Sequence, residues 1–168
     1  IIASIEERFI ASAWAILLAV ILDVFDGRIA RFTKSTTRFG LEFDSLADSI
    51  SFGVAPAILM YQAVLRNLRW GMMVALLFPI AGILRLARFN VSAVEKNFVY
   101  FDGLPIPVAG GLLASFSVLP FWEGGNHFFG SIPLLVITLS FLMVSKIKYI
   151  NLKNFRLTRR QPFKILII

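Results

Sequence analysis

Residues 9–48 read FIASAWAILLAVILDVFDGRIARFTKSTTRFGLEFDSLAD, and the fold turns on how they are understood. Residues 9–22 carry no charge. That run approaches the roughly 20 apolar residues that a helix needs to cross a hydrocarbon core. Four aspartates follow at once: Asp23, Asp26, Asp44 and Asp48. An aspartate at the centre of a membrane helix costs about 2.5–3.5 kcal/mol. Their intervals therefore call for a physical reason.

The rest of the chain supports lipid as the solvent. Of 168 residues, 58% are hydrophobic, 17 are Phe and only 16% are charged. An average soluble domain carries roughly 25% charged residues. The expected fold class is all-α, a polytopic transmembrane helix bundle in one domain spanning residues 1–168. Five membrane segments are readable, at about Phe9 to Arg28, Phe43 to Leu65, Trp70 to Leu86, Leu104 to Trp122 and Ile132 to Val144. Small residues such as GGLLAS suit close helix contacts in lipid. With alternating helices, fourteen of the 17 Lys and Arg fall on the side of Arg28 and only Arg8, Arg66 and Arg69 on the other. By the positive-inside rule the aspartate side faces the cytoplasm, and the protein is a multi-pass protein of the cell membrane. The net charge of +7 is thus a property of cytoplasmic loops, with no nucleic-acid partner implied. Trp70 and Trp122 fall at the opposite interface. Residues 146–168 read as a basic cytoplasmic tail lying on anionic lipid, or as the start of a further helix. Both chain ends read as cut, which leaves room for a missing helix at either one, and no cleavable signal peptide is visible. Cysteine is absent, which excludes disulfides, thiolate metal sites and cysteine nucleophiles.

Asp23, Asp26, Gly27, Ala30 and Arg31 recur at i, i+3, i+4, i+7 and i+8, which is one helix face. Gly40, Asp44 and Asp48 recur at i, i+4 and i+8, again one face. The intervening FTKSTTRF reads as a short polar turn. The two helices then become antiparallel neighbours, and their acidic faces meet near the cytoplasmic boundary. Charges that only mark a membrane boundary would not need this phase on two adjacent helices. Crowded carboxylates must be neutralised by protons or cations. Hard oxygen ligands suit Mg²⁺, Mn²⁺ or Ca²⁺. Two such ions would fit four carboxylates and grip a diphosphate. Gly27 and Gly40 leave room for a bulky ligand beside the backbone. Arg31 offers a planar fork for a phosphate oxygen. Asp48, one turn beyond Asp44, is placed to act as a general base.

The same positions resemble a family. Asp23-x-x-Asp26-Gly27-x-x-Ala30-Arg31, eight residues, then Gly40-x-x-x-Asp44-x-x-x-Asp48 matches the signature of the CDP-alcohol phosphatidyltransferases at every fixed position. The resemblance implies an integral membrane enzyme, usually a homodimer with about six helices per chain. Such enzymes displace CMP from a CDP-linked lipid with the hydroxyl of a small alcohol. It implies that Asp23, Asp26 and Asp44 bind two divalent cations, Mg²⁺ or Mn²⁺ (Ca²⁺ as a stand-in), with Asp48 as a further ligand or base. Asp23, Gly27, Ala30, Arg31 and Gly40 would border the CDP group, and Thr37 is a further candidate phosphate contact.

Beyond the signature, DSLADSISFGVAPA, RLARFNV and GLPIPVAGG resemble the phosphatidylserine synthase branch, the CDP-diacylglycerol–serine O-phosphatidyltransferases. LMVSKIKY and PFK do so more loosely. The implied substrates are L-serine and CDP-diacylglycerol, or an archaeal ether analogue. Serine brings a carboxylate and an ammonium. Arg85 and Arg88 are placed to clamp the carboxylate, and Asn90 to hydrogen-bond either group. Snorkelling to lipid phosphates accounts for the two arginines equally well. Two alternatives stand beside this reading. Glycerol 3-phosphate or an inositol phosphate as acceptor would want a denser basic pocket, drawn from Arg38 and Lys146. A divalent-cation transporter would spread its carboxylates along the whole crossing, whereas these crowd one boundary. His127, in EGGNHFFG on the far side, reads as a loop residue with no catalytic part.

Overall fold

The structure is a computed structural model and describes residues 1–32, 37–94, 100–118, 131–145 and 148–150. Helices dominate it. A short helix α1 (Ile2–Ile5) precedes α2 (Phe9–Phe32), a single rod of 24 residues. Next come α3 (Arg38–Asp48), a wide π turn (Ser49–Val54) and α4 (Ala55–Ala63), which run on as one helix. After a single 3₁₀ turn (Leu65–Asn67) follow α5 (Gly71–Val94), α6 (Ile106–Val118) and α7 (Ser131–Val144). A three-residue strand β1 (Tyr100–Asp102) pairs antiparallel with β2 (Lys148–Ile150), Phe101 opposite Tyr149.

Three helical stretches are long and apolar enough to cross a membrane: Phe9–Gly27, Phe39–Ala63 and Gly71–Val91, with mean hydropathies of 2.1, 1.2 and 1.8. Helices α6 and α7 are apolar but shorter within the described residues. The outer surface is as greasy as the interior. Trp14, Leu18, Phe25, Met72, Leu76, Ile80 and Phe141 all stand exposed. A soluble protein rarely shows such continuous apolar faces. In lipid they are the expected exterior, and the backbone polar groups are satisfied within helices, as the hydrocarbon requires. This is an integral membrane helix bundle.

Helix α5 packs along α7, and α2 along α6. The main core joins Phe52, Met60, Leu65, Phe78, Ile106, Leu113 and Met143. A smaller cluster, Ala13, Ile16, Leu59 and Ala114, seals α2 against α4 and α6. Pro79 lies inside α5. Transmembrane helices tolerate proline because neighbouring groups re-satisfy the freed backbone.

Two of the helices outrun the apolar segments that mark them. Helix α2 continues to Phe32, and α5 to Val94. The second long helix begins at Arg38 rather than near Phe43, because Thr37 caps it: its Oγ1 accepts from the Gly40 N–H at 3.0 Å. Hydropathy marks where lipid ends, whereas a helix ends where its hydrogen bonds do. The ribbon adds a strand where the basic tail begins. Its first described residues, Lys148–Ile150, are extended. The remainder of that tail, with Lys146, His127 and Trp122, lies outside the described residues.

Candidate active site

The acidic site forms where α2, α3 and α5 meet. Asp23 sits near the last third of α2, and Asp44 and Asp48 lie one turn apart at the end of α3. One carboxylate oxygen from each lies within 4.8 Å of the others. Asp23 and Asp48 are half-buried and Asp44 is exposed. The two acidic faces read from the sequence therefore meet. Asp26, one turn further along α2, is exposed and stands outside that three-way group.

Arg85 of α5 is buried, at 8% exposure, and its charge acts on Asp48. Its guanidinium also lies over the Phe89 ring, 5.5 Å from the centroid. Its Nε has no hydrogen-bond partner among the described residues. A buried donor left unpaired is costly.

Arg88 and Asn90 are engaged elsewhere. Arg88 Nη1 donates to the Val144 carbonyl oxygen at 2.9 Å, closing the end of α7. A cation there also complements the helix dipole. Asn90 Nδ2 donates to Glu42 Oε2 and to Ser45 Oγ, each at 3.2 Å. Ser45 Oγ in turn donates to the Leu41 carbonyl oxygen at 3.1 Å. This polar link ties α3 to the end of α5 beside the acidic group. Sequence reading missed Glu42 and Ser45. Their signal was two polar residues inside an apolar stretch, bracketing Asp44.

Thr37 spends its acceptor on the helix cap, and this bond leaves its hydroxyl hydrogen unused. A side chain on Gly40 would sit 3.1 Å from that Oγ1, so glycine suits the capped turn. Gly27 lies on α2 between Asp26 and the rest of the signature. Ala30 and Arg31 continue α2, and their side chains lie outside the described ones.

A divalent cation fits this donor set. Among the described residues, three carboxylates cluster in a partly desolvated place, and the Arg85 guanidinium acts on one of them, Asp48. The oxygens are hard ligands of the kind that Mg²⁺, Mn²⁺ and Ca²⁺ take.

The fold and the site together define a class: a helical membrane protein with a carboxylate cluster where its first two long helices meet. The model of the CDP-alcohol phosphatidyltransferase family matches residues 1–145, and the chain belongs to that family. It is 44% identical over 154 residues to the CDP-diacylglycerol–serine O-phosphatidyltransferase of Helicobacter pylori strain J99, covering 88% of this chain and 63% of that one. It is 42% identical over 152 residues to the archaetidylserine synthase of Methanothermobacter thermautotrophicus, covering 89% and 62%. With the CDP-diacylglycerol–serine O-phosphatidyltransferase of Bacillus subtilis it shares 39% over 142 residues, covering 83% and 74%. The chain thus spans less than two thirds of the length of the first two of these relatives.

Proposed function

We propose that this chain transfers a phosphatidyl group from CDP-diacylglycerol, or its ether-lipid analogue, to the hydroxyl of L-serine. The products are phosphatidylserine and CMP. The observation that carries the reading is the convergence of Asp23, Asp44 and Asp48 from two adjacent helices, in a chain of this family. The names of its relatives support serine as the acceptor.

Asp23, Asp44 and Asp48, with Asp26, would hold two divalent cations. When bound, these supply neutralisation of the diphosphate and of the charge that develops on departing CMP. Gly27 and Gly40 keep the backbone open beside the CDP group. Ala30, Arg31 and Thr37 border it, Arg31 as a phosphate clamp. Asp48 accepts the proton from the serine hydroxyl as its oxygen forms a bond to the lipid-bearing phosphorus. The bond from that phosphorus to the CMP oxygen breaks, and CMP leaves with the electron pair. Arg85, close to Asp48, supplies the cation for the serine carboxylate, while Arg88 and Asn90 hold the wall around it. Much of the rate comes from such positioning.

Residues 1–168 form one membrane domain in this reading. Its acidic site faces the cytoplasm, residues 146–168 lie on the lipid surface, and two copies associate as a homodimer. The test is CMP release by purified protein with CDP-diacylglycerol and Mg²⁺ or Mn²⁺. Serine, glycerol 3-phosphate and an inositol phosphate are offered separately. Release with serine alone, abolished by a chelator, is the expected result. Release with another alcohol overturns the acceptor, and release unaffected by the chelator overturns the metal role.

A further inference from the structure

The π turn that follows Asp48 has an identifiable cause. Proline has no N–H, and in a helix its ring collides with the carbonyl four residues earlier. For Pro56 that carbonyl belongs to Phe52. The turn widens instead: the Ala55 N–H reaches back five residues to the Ile50 oxygen. The displaced Phe52 carbonyl points at α6, where Gly110 leaves space for it. A Cβ on Gly110 would stand 2.5 Å from the Phe52 oxygen and 3.1 Å from its Cα. The neighbouring Gly53 backs onto Ile106 and Pro79, so the wide turn is wedged between α5 and α6. Gly111, by contrast, meets only Val20 at an ordinary 3.6 Å.

We infer that Pro56 and Gly110 are positioning residues for the acidic site: together they hold the wide turn that sets the rotational phase of Asp44 and Asp48. Helix α4 is locked by the buried Ala55, Pro56, Ala57, Leu59 and Met60 and cannot turn. If the π turn tightened to α geometry, the surplus residue would have to be absorbed by α3. That rotates its face by about 100°, the angle of one residue at 3.6 per turn. Asp44 and Asp48 would then swing away from Asp23. This inference rests on the cation-binding reading of the cluster.

The test is direct binding of Mn²⁺ alone to the purified full chain, followed by electron paramagnetic resonance, with unfolding temperature measured alongside. Four variants are compared: Gly110→Ala, Gly111→Ala, Pro56→Ala, and the Pro56→Ala/Gly110→Ala double. Gly110→Ala and Pro56→Ala are expected to weaken Mn²⁺ binding by about 10–100-fold, the usual loss when groups that orient ligands are disturbed. Gly111→Ala is expected to bind as the parent does. If Gly110→Ala folds poorly, the double variant is decisive. Restoring the N–H at position 56 lets the Phe52 carbonyl return to the helix, so folding recovers while Mn²⁺ affinity does not. Parental Mn²⁺ affinity in a folded Pro56→Ala protein overturns the inference and leaves the metal reading intact. No Mn²⁺ uptake by the parent chain overturns the metal reading and this inference with it.

Discussion

Arg85 and Arg88 lie three residues apart on one helix, yet their surroundings differ. Arg85 is buried beside Asp48, and its Nε has no partner among the described residues. Arg88 is bound to the end of α7. Arg85→Ala is therefore expected to raise the KM for serine by about 10–150-fold, as hydrogen bonds to charged groups are worth roughly 1.5–3 kcal/mol. Its affinity for the CDP-lipid should hold. Arg88→Ala should lower the unfolding temperature and raise the serine KM far less than Arg85→Ala does. Steady-state kinetics and thermal melts on both variants check the pair, and an unchanged KM in Arg85→Ala would end its assignment to the acceptor. Asp48→Asn is expected to abolish turnover while CDP-lipid binding persists, measured as CMP release against equilibrium binding. Near-normal turnover would remove Asp48 as the base. Arg31→Ala is expected to weaken CDP-lipid binding, and unchanged affinity would remove it from the diphosphate.

At the scale of the element, Thr37 is the clearest local determinant. It supplies the cap of α3, and that helix carries two of the three converging carboxylates. Thr37→Ala should destabilise the start of α3 by about 1 kcal/mol. Faster amide exchange confined to the first turn of α3 would show it. The aspartate faces were legible in the sequence because charges within an apolar run stand out, and a period of 3.6 residues puts them on one side. The partners of Arg88 and Asn90 were not legible. A carbonyl of α7 and a glutamate of α3 come into reach only once the helices pack. Pro56 stands inside a segment that reads as one unbroken apolar crossing from Phe43 to Leu65. Whether it kinks the helix or widens it depends on Gly110, which lies on a different helix. The ribbon was hidden for the same reason: three residues of strand have no pattern until a partner edge exists.

For the whole molecule, the apolar exterior and the uneven basic residues make one statement about orientation. The chain has no cysteine, so single cysteines report topology without background. A cysteine at Thr37 should react with an impermeant maleimide from the cytoplasmic face only, and one at Leu68 from the opposite face only. The reverse labelling would invert the assignment of the active site to the cytoplasm. The meeting of α2, α3 and α5 also bears on how the protein is made. The chain enters the membrane in sequence order, so the three carboxylates arrive a full helix ahead of Arg85. At roughly 5–20 residues per second the interval lasts seconds. Through that time the carboxylates lack the buried guanidinium that later acts on Asp48. The charge balance of the site is completed only after the guanidinium of α5 has been delivered, so that helix sets when the acidic cluster can settle.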